Sequence, residues 1–134
     1  MIDDIDAAQE WLDSWTAGVT GQAGRAAELS RRVAALTGFA EHPDRSITVT
    51  VGSSGQVENV EFDDRVRLLD GAELSRQLMS TIRKAQADLS ARVANEVRDT
   101  VGVDTETGRA VVNSFALRFP ADAEQPADGD RDGR

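Results

Sequence analysis

A chain of 134 residues with a net charge of −9 suits one domain, long enough to bury about two-thirds of its unfolded surface. Four Phe, two Trp and no Tyr leave most of the core to Val, Leu, Ile and Ala, and the lack of Cys excludes disulfides and thiolate metal sites. No run of about 18 apolar residues is available to span a membrane, so none is expected as a partner.

The opening "MIDDIDAAQEW" is acidic where a signal peptide would be basic, which with the absent Cys predicts a cytoplasmic protein. Over residues 3–36, Ile5, Leu12, Val19, Ala26 and Val33 recur every seven positions. Ala8, Trp15, Gln22, Leu29 and Leu36 repeat the interval, offset by three. This is a heptad seam, and a stripe so narrow wants a partner helix. Leu12, Trp15 and Val19 are therefore candidates for dimer or arm packing. Gly18, Gly21 and Gly24 interrupt the helix former pattern at about 1 kcal/mol each relative to Ala, and permit either a bend or close backbone approach.

A sheet region follows. Residues 35–42 can supply a short strand and "PDR" a turn. "SITVTV" alternates Ile47, Val49 and Val51 with Thr48 and Thr50, and those three apolar residues are also candidates for dimer or arm packing. "GSSG" reads as a hairpin turn, since no Gly-Lys-Ser/Thr follows to make it a phosphate loop. In "QVENVEF" Val57 is out of phase with Val60 and Phe62, which predicts a bulge or a switch of face near Glu58-Asn59. Because a lone hairpin is marginal in water, three strands in a meander are expected.

Residues 71–99 read as a second long helix. Leu74, Leu78, Ile82, Ala85, Leu89, Val93 and Val97 fall on one arc, with Asp70 as N-cap and Glu73 completing a near capping box. Residues 100–119 read as an additional extended or strand segment, from the alternation of Val111, Phe115, Leu117 and Phe119. Residues 120–134, rich in Pro, Gly and Asp, read as a disordered acidic tail. The domain proper thus spans residues 1–99.

Catalytic signals are weak. His42 is the sole imidazole and sits in a turn, and Asp63-Asp64 suit solvated or capping roles. Asp128, Asp130 and Asp132 begin a calcium-loop spacing without its bidentate Glu, so neither a metal nor another cofactor is expected. Charge is unevenly spread: residues 1–40, 41–70, 71–99 and 100–134 carry −3, −4, +1 and −3. That balance disfavours tight nucleic-acid binding by one copy, since phosphate neutralisation supplies most of such affinity. Arg76 and Arg83 lie opposite Leu74 on the second helix, with Arg98 farther round. Arg25, Arg31 and Arg32 gather near the end of the first helix, where they also complement its dipole.

The stretch "GFAEHPDRSITVTVGSSGQVENVEFDD", followed by "AELSRQLMSTIRKAQADLSARV", resembles the YbaB/EbfC family of nucleoid-associated proteins over residues 2–98. The resemblance implies an α+β protomer, helix – three-stranded antiparallel meander – helix, that dimerises through its sheet and projects its helices like tweezers. It also implies a non-enzymatic homodimer in the nucleoid that binds double-stranded DNA with little sequence preference. No residue-level DNA motif carries across, so Arg76, Arg83, Arg98, Arg25 and Arg32 are candidates from geometry alone. Family-like proteins are also encoded beside type VII secretion components in actinobacteria, and a composition rich in Ala, Arg, Asp and Gly with little Lys suits a high-G+C genome. The alternative is accordingly an adaptor or chaperone-like dimer that binds a protein partner, not DNA.

Overall fold

The computed structural model describes residues 2–120, apart from the side chains of residues 2–6, Ala17 and Val19. Helix α1 spans Ile2–Ala34, strands β1 Gly38–Glu41, β2 Ile47–Val51 and β3 Val57–Phe62 follow, and then helices α2 Gly71–Asp99 and α3 Glu106–Arg118. The three strands pair in the order β1-β2-β3, both pairs antiparallel. This is the α+β order expected from the sequence.

The register explains the phase problem in β3. Thr50 faces Asn59 while Val51 faces Val57, so Glu58 is the extra residue of a bulge. The Gly52–Gly55 turn closes with Gly55 N–H donating to the Gly52 carbonyl at 2.8 Å, and Gly55 takes φ +84°, a left-handed conformation that favours glycine.

Helix α2 begins where its cap predicts: the Asp70 carboxylate accepts from the Glu73 N–H at 2.8 Å. It lies over β1 and β2. Ile47, Val49 and Val51 from β2 are fully buried with Ala85, Leu89, Val93 and Val97 from α2. The helix passes so close to β1 that a Cβ on Gly38 would overlap the Ala85 carbonyl and Leu89. Asp88, on the flank of α2, accepts the N–H of Phe39 at 2.9 Å, satisfying an edge-strand donor. Strand β3 is covered less: Val57 and Phe62, which face the same side as Ile47 and Val51, are 43% and 47% exposed.

The strand expected within residues 100–119 is instead helix α3. Thr105 caps it, its hydroxyl accepting the Gly108 N–H at 3.0 Å. The apolar positions that matter are Gly108, Val111, Val112, Phe115 and Phe119, spaced by three and four, whereas Leu117, which suggested alternation, is 83% exposed. Helix α3 folds back along α2, with Gly108 against Val97 and Phe119 over Gly55. The expected acidic tail from residue 121 and its calcium-like spacing lie outside the described residues.

Only the last third of α1 joins this core, through Leu29 and Val33, with Leu36 just past its end. Arg32 ties it to α2 by donating to Glu96 at 3.3 Å. Every described side chain from Ala7 to Thr20 is exposed, including Trp11, Leu12 and Trp15 at 64%, 48% and 60%. The helix runs unbroken through Gly18, Gly21 and Gly24.

Candidate nucleic-acid interface

Burying Thr81, Ala85, Leu89, Val93 and Val97 against the core forces the opposite side of α2 toward solvent. That side carries Arg76, Arg83, Lys84 and Arg98, with Ser80, Ala87, Ala91 and Ala94 between them. Apart from Glu73, which pairs with Arg76 at its start, the acidic residues of α2 lie off this series. Asp88 sits at the β1 flank, Glu96 turns toward α1, and Asp99 ends the helix. From Arg76 to Arg98 the rise is about 33 Å, close to one turn of duplex DNA. Small residues between cations let a helix approach a phosphate backbone without steric obstruction.

The individual arginines differ in how far their charge is committed. Arg76 donates to Glu73 at 2.5 Å, and that contact, after the Gln77 amide, holds the Glu73 carboxyl below its ordinary range. Arg98 is exposed and donates to the Asn95 side chain at 2.7 Å, a neutral partner. Arg83 is half-buried, and its Nε has no hydrogen-bond partner among the described residues. Arg25, Arg83, Lys84 and Arg98 make no carboxylate ion pair among the described residues.

Arg32 is different. It is shared between Glu28 at 2.9 Å and Glu96 at 3.3 Å, and with Arg31 it depresses the Glu28 carboxyl. Its charge is spent on joining two helices. Arg25, on α1, lines a cavity with Val101 and Thr105 of the α2–α3 connection. The structure therefore brings Arg76, Arg83 and Arg98 onto one face, sets Arg25 on another helix beside the α2–α3 connection, and leaves Arg32 in an ion-pair network. Lys84 belongs with the first group, and its position one residue after Arg83 on a helix of known phase was the available signal. Helix α3 adds Arg118, which stacks over Phe115 at 4.6 Å and Phe119 at 5.2 Å.

Of the packing candidates, Ile47, Val49 and Val51 are enclosed beneath α2, while Leu12 and Trp15 are open to solvent; the Val19 side chain lies outside the described residues.

His42 lies where the Asp44 carboxylate faces it at 2.9 Å; the same carboxylate accepts from the Ser46 hydroxyl at 2.6 Å and N–H at 2.9 Å. The Ser46 bonds dominate in holding Asp44 well below the usual carboxylate range, with His42 contributing less. The acid stands between imidazole and hydroxyl, so the imidazole is not placed to take the hydroxyl proton. This is a turn lock. Asp63 caps the short 3-10 turn Asp64–Leu68 by accepting from the Arg65 N–H at 2.9 Å. Among the described residues no helix is long and apolar enough to cross a membrane, and no group of His, Cys, Asp and Glu is arranged to hold a metal.

Neither a comparison with curated proteins nor one with solved structures finds a match. The model of the YbaB/EbfC DNA-binding family matches residues 8–103, from the exposed half of α1 to just past the end of α2, with α3 outside the match. The chain belongs to the YbaB/EbfC DNA-binding family, a family of nucleoid-associated proteins.

Proposed function

We propose that this protein is a non-enzymatic, homodimeric nucleoid-associated protein of the cytoplasm that binds double-stranded DNA through the solvent face of α2 with little sequence preference. The observation that carries the proposal is the series Arg76, Arg83, Lys84 and Arg98, interspersed with small residues and with Glu73, paired to Arg76, as the acid at its start, in a chain otherwise strongly negative. Long flexible cations reach phosphates without reading base edges, so the predicted affinity is electrostatic and loosely specific.

Strand β3 supports the dimer. It is an outer strand, its far edge carries no partner among the described residues, and Val57 and Phe62 leave apolar area open beside it. Two-fold antiparallel pairing of β3 with its copy would make one six-stranded sheet, close the β3 edge of each copy and bury those side chains. It would also double the cationic series, which compensates for the modest count in one chain.

Fluorescence anisotropy with duplex DNA at about 50 and 200 mM salt tests the reading. Six or more phosphate contacts per dimer predict a loss of roughly three orders of magnitude across that range. No binding at the lower salt refutes it. A second reading, a protein-binding adaptor, is favoured by the exposed Trp11, Leu12 and Trp15 on an acidic helix that would repel DNA. Recovery of a stoichiometric protein partner after nuclease treatment, with no salt-sensitive DNA affinity, would decide for it.

A further inference from the structure

Between α1 and α3 runs an open apolar groove of about 390 Å³, with Ala26, Leu29 and Val33 on one wall and Thr107, Val111 and Phe115 on the other. Residues Ala8, Trp11, Leu12 and Trp15 fall on the same face of α1 as Ala26, Leu29, Ser30 and Val33, because a shift of about 18 residues is five turns. One continuous face thus begins as exposed large side chains and ends as the floor of a groove lined by small ones.

We propose that the groove receives the exposed N-terminal half of α1 from a second copy of this chain, the two α1 helices running antiparallel. A two-fold axis near the middle of α1 places the Trp11–Trp15 turn of each copy in the groove of the other, so one contact implies its mate. Size is complementary: two indoles and a leucine meet Ala26, Ser30, Ala34 and Thr107. Charge is complementary as well. Residues 1–24 contain five acids and no cation, whereas Arg25, Glu28, Arg31 and Arg32 leave the groove end of α1 at +2, and Glu106, Arg109 and Arg118 leave α3 at +1. A parallel pairing would set acid against acid. The heptad spacing is what two such helices need to stay in register over several turns. Since α3 lies outside the family match and forms half of the groove, the contact is particular to chains that carry this helix. It is separate from the β3 edge.

The two tryptophans of the chain, Trp11 and Trp15, both lie on the exposed half of α1, so their emission reports this contact without a label. Emission of the full chain is recorded from nanomolar to high micromolar concentration, for wild type, Ser30→Glu and Phe62→Arg, with circular dichroism to confirm that each folds. Ser30 is exposed at the groove, so a carboxylate there repels the acidic helix without disturbing the core. The expected result is a blue shift with rising concentration that Ser30→Glu abolishes and that Phe62→Arg, aimed at the β3 edge, retains. No shift at any concentration overturns the proposal, and so does a shift that Ser30→Glu leaves intact or that Phe62→Arg alone removes. DNA anisotropy is measured separately on the same variants, so a failed groove contact and a failed DNA interface give different signatures.

Discussion

Helices α1 and α2 are similar in length, 33 and 29 residues, yet they are stabilised in opposite ways. Helix α2 buries five residues between Thr81 and Val97, and its apolar face is covered within its own chain. Helix α1 buries Leu29 alone among the core residues and presents its first half to solvent, despite a more regular heptad repeat. Periodicity thus measures a helix's need for a partner and not whether that partner is in the same chain. Charge follows the same division: α2 carries cations on its free face, and the free half of α1 carries only acids.

The largest contrast expected is in DNA affinity. Reversing Arg83, Lys84 and Arg98 to Glu together should lower it by roughly three orders of magnitude at about 50 mM salt and flatten the salt dependence. Replacing Asp6, Glu10 and Asp13 of α1 by the matching amides should leave it equal or raise it. Anisotropy titrations check both, and equal losses from the two sets would erase the distinction between the helices.

Stability should divide likewise. Leu89→Ala, fully buried under α2, should cost about 2–5 kcal/mol by denaturant unfolding, whereas Leu12→Ala on the exposed half of α1 should cost under about 0.5 kcal/mol in the dilute protomer. Asp70→Ala, removing the cap on the Glu73 N–H, should cost about 1 kcal/mol, since α2 packs along its whole length and fraying at the start propagates poorly.

The smallest effect concerns pH. Asp44 has a carboxyl depressed by the Ser46 hydroxyl and N–H, so its contribution is present above the unfolded carboxylate value of about 3.9 and is lost as pH falls below that toward the folded value. Melting curves of wild type and Asp44→Asn should therefore differ at neutral pH and converge only in strong acid. A gap that widens on acidification would contradict the sign.

Much of this architecture could be read from the residues. Helix α2 was legible to its ends because the cap, the arc of apolar residues and the charge order agree. The β3 bulge was legible because Val57 breaks the alternation that Val60 and Phe62 keep. Helix α3 was not, because Val111, Phe115 and Phe119 fit both a four-residue and a two-residue period, and Leu117 tipped the choice toward a strand. What decides the case is tertiary: Gly108 permits contact with Val97, and Phe119 is held at the hairpin. The candidate face was half legible. Spacing alone aligned Arg76 with Arg83, but nothing in one sequence reveals that Arg32 is consumed by Glu28 and Glu96 from two helices.

The seating of the Phe119 ring on Gly55 sets a timetable for biogenesis. As the polypeptide leaves the ribosome, its hairpin is complete long before the aromatic that covers the turn has been translated. The sheet of a nascent chain must therefore wait without that ring over its turn, held there by the Gln86 amide on the Gly55 carbonyl, and stop codons or proteolysis anywhere before residue 119 yield a product in which it stays so.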